Sequence, residues 1–253
     1  MRRAAALLAA LPAVLLAAPP ARGACPDMAA VARFAQALLE RREPAPFQGL
    51  TPAEARCAQE RLVAMLAQPW GDVSGHALAA ETLPPLRGVL FHANLRETSG
   101  ATIEARFGAR PAVAPGLLLT IGADGRPATA EPYLALLDLA ALAGGRDATA
   151  RIAGNLGLRL GVLGAPAAAP AEAPDAVLAA DGSVLASLPR LGLAAPLDAL
   201  LDSLARDLAA EGRPLRPGER VALLGPAAPL APRPGETWRL SAAGLGAVAV
   251  TFR

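Results

Sequence analysis

Few side chains in this 253-residue sequence are suited to acid–base or nucleophilic chemistry. It contains two histidines, His76 and His92, two cysteines, Cys25 and Cys57, and no lysine. A chain without lysine cannot form a Schiff base with a carbonyl substrate. His76 is a candidate acid or base because imidazole titrates near neutral pH, although packing is the commoner role of a lone histidine.

Several catalytic motifs are absent from the sequence. No serine lies in a Gly-x-Ser-x-Gly turn, no glycine-rich loop carries a phosphate-binding lysine, and no cysteine pair has the spacing of a zinc site. Gly157, Gly161 and Gly164 lack the spacing of a dinucleotide-binding fingerprint. These absences argue against four large classes of enzyme.

The N-terminus has the three parts of a secretory signal peptide. Arg2 and Arg3 form a basic start, residues 4–18 are apolar, and residues 21–23 supply small side chains for a cleavage site. The apolar run is shorter than the roughly 20 residues that span a bilayer. We therefore predict that residues 1–23 are removed and that the mature protein is periplasmic or secreted. A retained N-terminal helix is the alternative.

The charge of the chain does not favour nucleic acid as a partner. The full sequence has 24 basic and 22 acidic residues, and cleavage at this site removes three arginines, which leaves 21 basic against 22 acidic residues. A near-neutral domain lacks the basic surface that binds phosphates. The mature chain also has no second apolar stretch long enough to be a transmembrane segment.

Cys25 and Cys57 are predicted to form a disulfide bond. The cysteine count is even, and an exported chain enters an oxidising compartment. Such a bond would tie the mature N-terminus to a helix and contribute about 3–4 kcal/mol in the loop-entropy model. Two unpaired thiols are one alternative. Lipidation of Cys25 is another, although Arg22 is a poor residue three positions before a lipidated cysteine.

The spacing of apolar residues predicts three helices and a β-rich remainder. The helices are expected over residues 28–43, 51–68 and 196–211, the second of them beginning at a Thr-Pro-Ala-Glu capping sequence. Strands are predicted over residues 102–107, 117–121, 176–180, 183–188, 220–224, 237–241 and 247–252. The sum is an α+β fold in one domain, residues 24–253, with a helical part over 24–70 and a β-rich core over 86–253.

Five segments share their sequence and their order with one enzyme family. They are GARP at 108–111, NLGLRLGVLG at 155–164, PLDAL at 196–200, GRPLRPGE at 212–219 and PGET at 234–237. On these segments the chain resembles the 2-keto-4-pentenoate hydratases of the fumarylacetoacetate hydrolase superfamily. The resemblance implies a mixed β-sheet core of the fumarylacetoacetate hydrolase type, with one helix of the C-terminal half packed on it.

The resemblance also implies a metal-dependent reaction whose ligands are missing here. In the family, carboxylates hold Mg²⁺ or Mn²⁺ against a 2-keto acid while water adds across a double bond. The positions matching the three acids are Ala114, Gly116 and Ala135, and no acid occurs anywhere from 105 to 123. The family's lysine falls in the GHALA stretch at 75–79, which has none. We therefore expect no cofactor and no family chemistry.

Four residues are the ligand-binding candidates that the resemblance leaves. His76 falls where the family has its pocket, Asn155 and Arg159 match family positions, and Asp138 keeps a family acid. Arg159 is suited to a ligand carboxylate, whereas one carboxylate such as Asp138 holds a metal weakly. Structural hydrogen bonding or packing is the alternative role for each. Glu131 is expected to be a solvated loop charge.

Two classes of function follow from this pattern. The first is an exported hydratase-like protein that binds a small carboxylate ligand or a protein partner without catalysis. The second is a working hydro-lyase with a rebuilt site and a bound Mg²⁺ or Mn²⁺, which requires three acidic side chains around one cavity. The sequence leaves open whether the protein is a homo-oligomer.

Overall fold

The strands of this chain form two mixed sheets. The computed structural model describes residues 25–142, 147–228 and 230–253, so the predicted signal peptide lies outside the described residues. Within these ranges the strands are β1 Val73–Ala79, β2 Leu86–Phe91, β3 Glu97–Thr98, β4 Ala101–Ile103, β5 Pro111–Ile121, β6 Pro127–Asp138, β7 Leu158–Leu163, β8 Ala167–Ala168, β9 Ala176–Ala180, β10 Ser183–Leu188, β11 Arg220–Leu224, β12 Thr237–Ala242 and β13 Gly246–Phe252.

The larger sheet has the strand order β2-β1-β11-β5-β6-β7-β3, with β8 added beside β6, and the smaller has the order β10-β9-β12-β13-β4. The pairs β1–β11, β3–β7 and β4–β13 are parallel and the others antiparallel. The helices described are α1 Met28–Leu39, α2 Pro52–Trp70, α3 Ala148–Ala153 and α4 Leu197–Ala210. The predicted α+β fold with a mixed sheet core is therefore confirmed.

The two faces of the larger sheet have different packing, because successive side chains of a strand point to opposite sides. One face, here called the sandwich face, packs on the smaller sheet and α4. Leu78, Leu119 and Leu223 of this face share one core cluster with Leu204 of α4. The other face carries many alanines, and we call it the alanine face. It is formed by Ala77, Ala79, Leu90, Ala112, Ala114, Leu118, Tyr133, Ala135, Leu137, Leu156, Leu158, Leu163, Ala222 and Leu224.

The first two helices form a separate layer, joined by a disulfide bond. The predicted capping box begins α2: the Thr51 hydroxyl accepts a hydrogen bond from the Glu54 amide at 3.3 Å, and the Glu54 carboxylate accepts one from the Thr51 amide at 2.8 Å. Cys25 and Cys57 are bonded, with their Cα atoms 5.6 Å apart. The predicted disulfide is thus present and ties the segment before α1 to α2.

Two boundaries and several strands differ from the sequence prediction. The first helix stops at Leu39, and the predicted strand over 102–107 is paired only through Ile103. The apolar pattern also did not predict β1, β2, β6 and β7 of the larger sheet. Strands β1 and β6 are buried on two faces for much of their length, so neither shows the alternation of apolar and polar residues by which a half-buried strand is recognised.

None of the helices within residues 25–142, 147–228 and 230–253 is long and apolar enough to cross a membrane.

Replacing both cysteines tests how far the helical layer depends on the disulfide. We expect Cys25→Ser with Cys57→Ser to lower the free energy of unfolding by about 3–4 kcal/mol, because the bond closes a loop with a sequence separation of 32 residues. Urea denaturation of the mature protein measures this. Reduction of the wild-type protein should lower its free energy of unfolding by the same amount. A double variant as stable as the oxidised wild type would contradict the prediction.

Candidate functional site

The structure brings together the three positions at which the sequence resemblance implies metal ligands. In the β5–β6 pair, Ala114 lies directly opposite Ala135, and Gly116 lies two residues further along β5. Residues two apart on a strand share a face, so all three lie on the alanine face. The three positions that the resemblance assigns to metal ligands are therefore neighbours in the fold.

Apolar side chains enclose this place. Ala114 is 1% exposed and Ala135 is 0% exposed. They belong to one packed cluster with Leu118, Leu156 and Leu224. No side-chain oxygen comes from the three positions themselves, and a hard cation such as Mg²⁺ requires oxygen ligands. The residues present do not fit a divalent metal ion.

Tyr133 takes part in this enclosure, and sequence reasoning missed it. It lies two residues before Ala135 on β6 and opposite Gly116. A Cβ atom added at Gly116 would lie only 3.2 Å from the Tyr133 ring, and one added at Gly161 would overlap the Tyr133 hydroxyl. The ring is thus packed closely between two glycines, which leave room for it by lacking side chains.

The Tyr133 hydroxyl has a structural partner. It donates a hydrogen bond to the carbonyl oxygen of Asn94 at 3.1 Å. Burial raises the pKa of Tyr133 far above its ordinary value, so the phenol stays neutral at every physiological pH. A neutral, fully buried phenol that is already hydrogen-bonded is suited to filling space and is a poor proton donor for catalysis. Tyr133 is the only tyrosine in the chain, which is the signal that could have drawn attention to it.

Glu131 is the carboxylate on the same strand and face as Tyr133 and Ala135. The sequence placed it in a loop, but it lies within β6 and is 8% exposed. Burial raises the pKa of Glu131, while Arg220 acts in the opposite direction. Four residues along a strand separate it from Ala135, about 13 Å. Among the residues that the structure describes, no three His, Cys, Asp or Glu side chains converge to hold a metal ion.

Asp138 closes the end of β6 through hydrogen bonds from three backbone amides. Its Oδ2 atom accepts from Ala109 at 2.9 Å, and its Oδ1 atom accepts from Arg110 at 2.9 Å and from Ala140 at 3.0 Å. The side chain is 2% exposed. This carboxylate holds the turn before β5 against the end of β6, which is a structural function.

Asn155 closes the free edge of β2. Its Oδ1 atom accepts from the Val89 amide at 2.8 Å, and its Nδ2 atom donates to the Val89 carbonyl at 3.1 Å. The side-chain amide therefore pairs with β2 much as a neighbouring strand would. Gln59 of α2 donates a further hydrogen bond to the same Oδ1 atom at 3.3 Å. These contacts occupy the polar atoms that a ligand would need.

Arg159 packs against an aromatic ring in the helical layer. Its guanidinium carbon lies 4.4 Å from the centre of the Trp70 ring, a cation–π arrangement. Burial lowers the pKa of Arg159, and Asp138 opposes that shift. Arg159, Asp138 and Asn155 line one cavity of about 10 Å³. That volume holds about one water molecule, so it is too small for an organic carboxylate.

His76 lies apart from the other three candidates. It alternates along β1 with Ala77, so it shares the side of Leu78 on the sandwich face rather than the alanine face. Its Nε2 atom lies 3.8 Å from a carboxylate oxygen of Glu219. Burial lowers the pKa of His76, although Glu219 opposes the shift. The four candidates therefore do not form one pocket.

Comparison with known proteins identifies the fold. No family model and no curated protein sequence matches the chain. The structure is similar to 4-oxalocrotonate decarboxylase from Pseudomonas putida G7, complexed with magnesium and adipate, with a TM-score of 0.77 and 15% identity over 89% of this chain and 97% of that one. It is also similar to a 2-hydroxyhepta-2,4-diene-1,7-dioate isomerase from Mycobacterium marinum, with a TM-score of 0.53 and 14% identity over 71% of this chain and 74% of that one.

These matches confirm the resemblance at the level of the fold. A probable isomerase of the same type from Mycobacterium abscessus gives a TM-score of 0.55 at 15% identity over 79% of this chain and 89% of that one. The neighbours are members of the fumarylacetoacetate hydrolase superfamily, and they do not single out its hydratases. The chain therefore has the fumarylacetoacetate hydrolase type of fold, and the magnesium belongs to the decarboxylase.

Restoring one acid tests whether the alanine face is a filled core. We expect Ala135→Glu to lower the free energy of unfolding by about 3–5 kcal/mol, because the new carboxylate would be buried without a partner. Ala128→Glu is the matched control, since Ala128 lies on the exposed end of the same strand, and it should change stability by less than about 0.5 kcal/mol. Equal effects in urea denaturation, or stabilisation of Ala135→Glu by Mn²⁺, would indicate an open pocket instead.

Proposed function

We propose that this chain is an exported, non-catalytic protein that uses a metalloenzyme fold to bind a small carboxylate ligand or a protein partner. The observation that supports this proposal is the direct pairing of Ala114 with Ala135 in a buried apolar cluster. The alanines stand where the resemblance requires metal-binding acids. The fold is otherwise similar to that of the decarboxylase, so the proposed change is confined to the metal-binding positions.

The chemical consequence follows from what the metal does in related reactions. Addition of water to a 2-keto acid needs a group that polarises the keto oxygen and stabilises the enolate. In this chain the corresponding space is lined by alanine and leucine, and the Tyr133 hydroxyl is directed to the Asn94 carbonyl. Neither arrangement supplies a charge to the transition state.

A hydro-lyase with a rebuilt site finds less support. It would need carboxylates that meet at one cavity, and the two buried acids of β6 do not meet. Glu131 and Asp138 are seven residues apart on an extended strand, roughly 24 Å, and Asp138 already accepts three backbone hydrogen bonds. The binding function is therefore the better explanation of these residues.

Export is supported by two independent features. The first 23 residues have the pattern of a signal peptide. The disulfide between Cys25 and Cys57 begins two residues after the expected cleavage site, and such bonds persist in oxidising compartments. The disulfide would thus involve the second residue of the mature chain and would form after export.

Titration with Mn²⁺ tests the loss of the metal site. We expect the mature protein to leave the electron paramagnetic resonance signal of free Mn²⁺ unchanged, and not to hydrate 2-keto-4-pentenoate or decarboxylate 4-oxalocrotonate. The decarboxylase from Pseudomonas putida is the positive control under the same conditions. Stoichiometric Mn²⁺ binding together with turnover of either acid would replace this proposal with the enzyme.

Export can be measured directly. The full-length gene expressed in a Gram-negative host should yield periplasmic protein whose N-terminal sequence begins at Ala24. Replacing Arg2 and Arg3 by glutamate should retain uncleaved protein in the cytoplasm, because the basic start of the signal is lost. Soluble cytoplasmic protein that keeps Met1 in the unaltered chain would contradict the assignment, and a lipid on Cys25 would show a lipoprotein.

A further inference from the structure

Three arginines surround one carboxylate at the junction of α2, β2 and α4. Glu211 accepts from Arg87 at 2.5 Å and from Arg213 at 2.6 Å, and a third guanidinium, that of Arg56, lies 3.7 Å away. One negative charge thus faces three positive ones. The cluster lies at the free edge of β2, away from the alanine face.

Arg87 is the buried member of this cluster. Its side chain is 16% exposed, compared with 53% for Arg56. Its Nη2 atom pairs with Glu211, whereas its Nη1 atom is buried and has no hydrogen-bond partner among the described residues. Buried guanidinium groups are normally fully hydrogen-bonded, because leaving a donor unpaired is costly. Glu211 therefore satisfies only part of the hydrogen-bonding capacity of the Arg87 guanidinium.

A cavity adjoins both arginines. It has a volume of about 330 Å³ and is lined by Arg56, Arg87, Ser203 and Asp207 together with apolar residues that include Pro84 and Ile152. The volume lies in the range of sites for small organic molecules. Gln59 donates a hydrogen bond at 3.0 Å to the backbone carbonyl of Arg87, so the position of β2 at the cavity is fixed from α2.

The charges around the cavity favour a ligand with one negative charge. Arg56 and Arg87 contribute two positive charges to the lining of the cavity, and Asp207 contributes one negative charge, which gives a net charge of +1. Glu211 and Arg213 lie behind the two arginines, and their charges cancel. Planar guanidinium groups match the geometry of a carboxylate, whereas the proline and isoleucine side chains suit an apolar body.

We propose that this cavity binds a small monocarboxylate with an apolar body, and that Arg56 and Arg87 hold its carboxylate. The proposal deepens the binding function proposed above and rests on it, but it does not depend on the loss of the metal site. It differs from the sequence expectation, which placed such a ligand near His76, Asn155 and Arg159.

Benzoate and benzyl alcohol form a matched pair of probes, since they share a ring and differ in charge. Titrated into the isotope-labelled mature protein, benzoate should shift the amide signals of residues 86–87 and 203–207 saturably, with a Kd at least about tenfold below that of benzyl alcohol. Arg56→Gln should weaken benzoate binding about tenfold, the usual loss for one charged hydrogen bond. Arg33→Gln, an exposed change on α1, should leave it unaltered.

The possible results separate the cavity from the wider proposal. Because Arg56 is half exposed, Arg56→Gln should melt at the same temperature as the wild type, so weaker binding would not reflect unfolding. Benzoate binding that is unaffected by Arg56→Gln would overturn the assignment of this cavity as the binding site, while the proposed carboxylate-binding function would stand. Equal affinities for benzoate and benzyl alcohol, or no saturable binding of benzoate, would overturn the assignment of a carboxylate ligand.

Discussion

The contact between Ala114 and Ala135 across β5 and β6 is the constraint on which the interior of this protein depends. These two small side chains at the centre of the larger sheet are buried in one apolar cluster with Leu156 and Tyr133. Close packing of this kind resists polar groups, because an unpaired charge in it would be desolvated. The loss of metal chemistry that we propose and the close packing of the core would then have one cause.

The polar residues that match family positions in the sequence resemblance stabilise the fold around this core. Asp138 fixes the turn before β5, and Asn155 closes the edge of β2, each through hydrogen bonds to backbone groups. Arg159 packs on Trp70 and links the sheet to the helical layer. The fold needs these contacts whether or not a metal ion is bound, so the loss of metal binding that we propose would leave them in place.

Much of the fold could be predicted from the sequence, whereas the direction of individual side chains could not. Three features that the sequence shows directly are present as predicted: the capping box of α2, the row of leucines on α4 and the bonded cysteine pair. The face on which His76 lies depends on the pairing of β1 with β11, residues nearly 150 positions apart in the chain. Tyr133 and Arg87 likewise acquire their surroundings from long-range packing. Tyr133 stands out in the sequence only as the single tyrosine, and no pattern around Arg87 marks it.

Anomalous diffraction tests the central claim most directly. A crystal of the mature protein soaked in MnCl₂ and measured at the manganese absorption edge would reveal an ion at the alanine face, if one binds there, independently of any assay. The filled core predicts no anomalous peak beside Ala114, Gly116 and Ala135, and a Tyr133 ring that stays packed over Gly116. An anomalous peak at these positions would contradict that claim and would support the alternative function, a metal-dependent enzyme.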